Sequence, residues 1–118
     1  MARSDRRYDG APHYDLERVQ QLARGRFMHI TGKALKVDAP RVLPRSLLDV
    51  SGAIRATVLA LKQSEWRFCQ QNENGWADIY RIARYQRVLW VKIKIELRGT
   101  TDHTIVISFH DWDDARQN

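Results

Sequence analysis

Residues 86–111 read QRVLWVKIKIELRGTTDHTIVISFHD. Over 88–97 the side chains alternate. Leu89, Val91, Ile93, Ile95 and Leu97 fall on one side, and Trp90, Lys92, Lys94 and Glu96 on the other. A period of two is a strand signal, because successive side chains leave opposite faces of the pleat. Gly99-Thr100-Thr101-Asp102 is turn chemistry. Residues 103–110 return as a β-branched run, and Ile105, Val106 and Ile107 predict a central, covered strand. The two runs pair as a hairpin with one apolar face. The opposite face collects Trp90, Lys92, Lys94, Ser108 and His110: an aromatic ring, cations and a titratable imidazole. Function is expected there.

Moving outward, residues 65–71 predict a strand with Trp66, Phe68 and Gln70 on one side and Arg67 and Cys69 on the other. Asn72-Glu73-Asn74-Gly75 predicts a hairpin turn, its Asn-Gly pair supplying positive φ. Residues 76–83 return, with Ile79 inward if Asp78 and Tyr80 face outward, and 84–87 turn into the final hairpin. Four consecutive strands with short connections form an antiparallel meander.

The first half is helical. Residues 13–24 place Leu16, Val19, Leu22 and Ala23 on one face. Asp15 and Glu17 near the start, with Arg18 and Arg24 later, complement the helix dipole, and Gly25 is a natural stop. Residues 26–30 predict a short strand and 32–37 a short helix capped by Thr31. Pro40 and Pro44 make 38–45 a loop. A second main helix spans 50–62, N-capped by Asp49 or Ser51, with Val50, Ile54, Val58 and Leu61 buried. Residues 1–12 carry too little apolar content to pack and predict a flexible N-terminal arm. That leaves 13–118 as a single domain of α+β class, an antiparallel sheet with helices packed on one face.

The chain has 118 residues, a net charge of +6 and one cysteine, Cys69. One domain follows from the length, and no internal disulfide can form, which favours the cytoplasm. No apolar run approaches a membrane span. The four histidines match no zinc spacing, and neither a phosphate-binding glycine loop nor a serine-nucleophile motif is present. No metal or cofactor is expected. The basic balance points to a polyanionic partner, RNA or DNA before membrane. Its cations concentrate in two segments. Arg24, Arg26, Lys33, Lys36, Arg41 and Arg45 face one acid, Asp38; Arg81, Arg84, Arg87, Lys92, Lys94 and Arg98 face one acid, Glu96.

Four stretches, in order, resemble the MqsR-type toxins, whose fold is RelE-like. PHYDLERVQQLARG (residues 12–25) is similar to their opening helix, and Leu48-Asp49-Val50-Ser51-Gly52 to the start of their second. Trp76-Ala77-Asp78-Ile79-Tyr80 resembles a Trp-Gln-Asp-Val-Tyr strand. Trp90-Val91-Lys92-Ile93, with Ile105-Val106-Ile107-Ser108-Phe109, resembles the closing hairpin. The resemblance implies a metal-independent endoribonuclease that cleaves single-stranded mRNA, inhibits translation and is neutralised by a cognate antitoxin. A homodimer or a toxin–antitoxin complex is compatible with it. The family pattern has lysine at His110, glutamine at Ala77 and tyrosine at Trp90. Its lysine before the Asn-Gly turn falls at Phe68, or at Arg67 with a one-residue slip.

Cleavage by the ribose 2′-OH needs a base, an acid and cations for the phosphorane charge. Histidine is the side-chain type suited to proton transfer near neutral pH, so His110 is the candidate for it; the alternative is a polar strand end. Lys92 and Arg67 are candidates to polarise phosphate. Arg67 alternatively pairs with Glu65 or Asp78. Tyr80 is a candidate proton donor or a core tyrosine. Trp90 is a candidate to stack on a base, with Lys94, Arg81 and Arg84 along the RNA backbone. Two other functions remain open: a catalytically inactive RNA- or antitoxin-binding domain on the same scaffold, and an unrelated basic α+β module.

Overall fold

The computed structural model describes residues 6–113. Its six strands are β1 (Arg6–Tyr8), β2 (Met28–Ile30), β3 (Trp66–Asn72), β4 (Gly75–Arg84), β5 (Arg87–Arg98) and β6 (Thr101–Asp111). They form one sheet in the order β1-β3-β4-β5-β6-β2. β3 to β6 are the expected antiparallel meander. β2 joins the far edge parallel to β6, so the sheet is mixed. Three helices, α1 (Leu16–Arg24), α2 (Ala39–Val42) and α3 (Val50–Ala60), complete the α+β fold.

The hairpin connections follow backbone chemistry. Arg98 pairs with Thr101 across a two-residue turn whose first residue, Gly99, has φ +65°, the glycine position of a type II′ turn. Between β3 and β4, Asn72 pairs with Gly75, and Gly75 alone carries the positive φ, +101°. Between β4 and β5 the turn residues Tyr85 and Gln86 sit at φ +57° and +61°. Two non-glycine residues thus occupy left-handed backbone, which type I′ geometry demands at both central positions.

The core lies between one sheet face and the helices. Leu16, Val19 and Ala23 of α1 and Ile54 and Val58 of α3 meet Tyr80, Ile82, Leu89, Val91, Ile93, Val106 and Phe109. Asp15 caps α1 by accepting from Glu17 N–H at 3.2 Å, and Asp49 caps α3 through Gly52 N–H at 2.9 Å. Gln20 Nε2 donates to three carbonyls at the end of α3, including Leu61 at 2.9 Å, and so joins the two helices.

Several sequence expectations are corrected. Asp78 and Tyr80 face the helices, not the outside, and Ile79 is buried on the opposite face. Asp78 is wholly buried, but its carboxylate accepts from His13 N–H (2.9 Å), Tyr14 N–H (2.8 Å) and Trp66 Nε1–H (3.0 Å). Those donors offset the cost of desolvating the charge and tie the chain ahead of α1 to β4. Trp66 and Phe68 do not share a face, because β3 bulges between them, and an extra residue shifts the alternation. Residues 38–45 are not simply a loop. A π-helix, Lys33–Asp38, runs directly into α2, and Pro40 sits in that helix's first turn, where no N–H is needed. Within the expected arm, Arg6–Tyr8 pairs antiparallel with β3. Leu97 is 65% exposed beyond the helix layer.

Candidate functional site

The face opposite the helices is crossed by rows of side chains set by strand register. Arg81, Trp90 and His110 form one row. Phe68, Ile79, Lys92 and Ser108 form the next. Gln70 with Ala77, and Lys94 with Ile105, form a third. The β5–β6 register shifts between Lys92 and Ile93, leaving Ile107 as the extra residue of a bulge. That one residue lets Val106 and Phe109 both reach the core while Ser108 and His110 reach the outer face.

Aromatic rings dominate one end of this face. Trp90 stacks on His110 with centroids 5.8 Å apart and planes 14° apart. Trp112 tilts against Trp90 at 5.1 Å, and Phe68 meets it edge-on at 5.6 Å. Two guanidinium groups border the cluster: Arg7 lies 3.7 Å from the Phe68 centroid and Arg81 5.7 Å from that of Trp112. Sequence reasoning missed Trp112 and Arg7: Arg7 lay in the expected N-terminal arm, and Trp112 was assigned to no element. The available signal was that Trp112 follows His110 by two residues, the strand repeat.

His110 Nδ1 lies 3.1 Å from the Asp111 carbonyl oxygen. A carbonyl only accepts, so Nδ1 carries the hydrogen and the lone pair of the neutral ring sits on Nε2. The Asp111 carboxylate faces away from that ring, pairing with Arg87 at 3.4 Å and accepting from Asp113 N–H at 3.0 Å. Behind the same strand end, the Asp38 carboxylate accepts Phe109 N–H at 3.1 Å and pairs with Lys33 Nζ at 2.8 Å. Phe109 lies between Ser108 and His110, so Asp38 holds from the core side the backbone that presents both. Asp38 lay in an expected loop and was not singled out.

At the other end, Glu96 bridges Lys94 Nζ (3.0 Å) and Arg98 Nε (3.2 Å). The hydrogen bond from Lys94 is the main cause that holds the Glu96 carboxyl below its ordinary range.

The structure therefore brings five of the eight expected residues to one face: Lys92, Lys94, Trp90, Arg81 and His110. Tyr80 is not among them. It is 1% exposed, pairs with Val91 and packs in the core, where burial first, and then the Asp78 charge, raise its pKa. Arg84 pairs with Arg87 at the hairpin end, three residues beyond Arg81 and so on the opposite side of the pleat. Its guanidinium lies 5.1 Å from the Tyr85 ring. Arg67 is exposed at the β3 bulge, and its Nη1 donates to the carbonyls of Ser64 (3.0 Å) and Trp66 (3.1 Å) instead of pairing with Glu65 or Asp78. Cys69 is buried, donates to the Ala11 carbonyl at 3.2 Å, and has its thiol pKa pushed up to about 11, mainly by burial. That thiol is protonated at neutral pH.

Among the described residues, no group of three or more His, Cys, Asp and Glu side chains is placed to hold a metal ion. No helix among them is long and apolar enough to cross a membrane. The family model of the motility quorum-sensing regulator, toxin of MqsA, matches residues 11–111. No curated protein matches the chain.

Proposed function

We propose that this chain, which belongs to the MqsR toxin family, is a metal-independent endoribonuclease acting on single-stranded mRNA in the cytoplasm and held inactive by an MqsA-type antitoxin. The observation that carries the reading is the outer sheet face, where Lys92 sits in the row beside the Trp90–His110 stack. The aromatic rings suit unpaired bases, and Arg7, Arg81, Lys92 and Lys94 supply charge along a phosphate backbone. In the reaction the 2′-oxygen attacks the adjacent phosphorus and the bond to the 5′-oxygen breaks. The products are a 2′,3′-cyclic phosphate and a 5′-hydroxyl. His110 Nε2 takes the 2′-OH proton, and Lys92 stabilises the charge gathering on the phosphorane. A proton must also reach the leaving 5′-oxygen, and the imidazolium formed at His110 can return one.

The test is end-labelled single-stranded RNA with purified protein in excess EDTA. Fragments ending in 2′,3′-cyclic phosphate are expected. His110→Ala and Lys92→Ala should each slow their appearance by about 10²-fold or more. RNA left intact, in isolation and on translating ribosomes alike, defeats the reading. Cleavage that survives His110→Ala keeps the nuclease but removes the histidine from its chemistry.

One observation favours a second reading, an inactive RNA- or antitoxin-binding domain. Phe68, Ala77 and Trp90 stand where the resembling toxins carry polar groups able to move or hold protons. RNA that binds with normal salt dependence and stays uncut selects it.

A further inference from the structure

We propose that the cleft on the far side of Lys92 from the Trp90–His110 stack is a base-recognition subsite, which holds one nucleobase of single-stranded RNA by its hydrogen-bonding edge. This rests on the RNA-binding reading above and names the part of that face that selects sequence. The cleft measures about 330 Å³ and is lined by Asn72, Asn74, Ala77, Lys92, Lys94 and Ile105 among others. Such a volume lies at the small end of ligand pockets, which suits a single base. Its floor is low because Gly75 and Ala77 bring no bulk to β4 opposite Lys94 and Glu96. Ile107, the half-buried extra residue of the β6 bulge, offers an apolar surface to the flat of a ring.

The rim supplies the reading groups. Asn72 Oδ1 accepts Asn74 N–H at 2.8 Å, which fixes the β3–β4 turn. The Asn72 amide N–H2 and both ends of the Asn74 amide are then what the turn presents beside the cleft. A carboxamide sets a donor beside an acceptor, the pattern that pairs with a base edge. Lys92 and Lys94 stand at the opposite wall, where they neutralise the attached phosphates. Because Glu96 bridges Lys94 and Arg98, Lys94 is positioned and does not swing freely.

The two sides of Lys92 therefore differ in chemistry. Stacking on Trp90, His110 and Trp112 accepts any base, since every base has a π-face. Hydrogen bonds to a base edge discriminate, and a protein reads unstacked single strands through such edges. Selection at the nucleotide next to the Lys92-bound phosphate is accordingly assigned to the asparagine-rimmed cleft.

The experiment uses the full chain with a short randomised single-stranded RNA in excess EDTA, both cut and bound fractions being sequenced. The comparison is wild type, Asn74→Ala and Ala77→Leu. Asn74 contributes its backbone N–H to the turn, so its alanine variant keeps that bond. The expected result is a wild-type preference at one position beside the cut that falls about 10-fold in Asn74→Ala and also in Ala77→Leu, whose side chain fills the floor. A protein that binds without cutting is judged by the same change in the bound fraction. A wild type with no preference, or variants that keep the full preference, overturns the subsite while leaving the RNA reading intact. A wild type that neither cuts nor binds RNA overturns both.

Discussion

Tyr80 and Lys92 show how much a single residue of pleat decides. Tyr80 pairs with Val91, one residue from Lys92, and therefore looks into the helices while Lys92 looks out. Tyr80→Phe should leave RNA cleavage unchanged, because the ring is core and never meets the outer face. Tyr80→Ala should cost about 3–5 kcal/mol in denaturant unfolding, the usual range for emptying a large buried aromatic site. A loss of cleavage in a fully stable Tyr80→Phe protein would return the hydroxyl to the chemistry. Trp112 makes the converse case. It leans on Trp90 and lies under Arg81, one residue beyond the family match. Trp112→Ala should weaken binding of unstructured RNA by about 1–3 kcal/mol, the value of one base–aromatic stack. Fluorescence anisotropy with an oligonucleotide measures it, and unchanged affinity would make Trp112 a cover for Trp90 and nothing more.

At the scale of elements, β6 depends on the helical segment behind it. The bulge at Ile107 breaks the regular ladder, and Asp38 at the end of the π-helix accepts the Phe109 N–H. Removing the carboxylate leaves that buried donor unpaired, at a cost of about 1–3 kcal/mol. Asp38→Ala should thus lower stability by that amount and speed hydrogen exchange at Phe109 ahead of the rest of β6. Uniform exchange along the strand would show that Asp38 is not what holds its end. The β4–β5 turn offers a test of the opposite sign. Gln86 at φ +61° carries a side chain where left-handed backbone costs about 1–2 kcal/mol. Gln86→Gly relieves it but adds freedom to the unfolded chain, so a net gain of up to about 1 kcal/mol is expected in chemical denaturation.

For the whole molecule, burial and charge set the response to solution conditions. The folded state keeps the Cys69 thiol protonated up to about 11, against an ordinary value of 9.0. The unfolded chain therefore releases that proton first as pH rises, and stability contributed by the neutral thiol is present below pH 9 and lost through pH 11. Cys69→Ala should flatten the fall in stability across that window; an unchanged slope would assign the alkaline loss to other groups. The outer face should also make RNA affinity fall steeply with salt. With about four phosphate contacts, log K against log salt should slope near −3. Lys92→Ala should reduce that slope by about one contact.

Much of this architecture is legible in one chain. The alternation over 88–97 marks β5, the turn residues around Gly75 and Gly99 mark two hairpins, and capping residues such as Asp15 and Asp49 mark α1 and α3. These signals are local: they depend on side-chain spacing and on the backbone angles that particular residues allow, so the amino-acid sequence by itself determined the meander, the helical first half and the gathering of Trp90, Lys92 and Lys94 on one face. Which face of β4 is buried was not local. Asp78 goes inward only because His13, Tyr14 and Trp66 bring donors from distant parts of the chain, and Tyr80 follows it by parity. The bulges at Arg67 and Ile107, the parallel docking of β2, and the arrival of Arg7 and Trp112 beside Trp90 likewise arise when strands meet. Tertiary structure alone decided them, since register is a property of a pair of strands and burial a property of everything packed around a side chain.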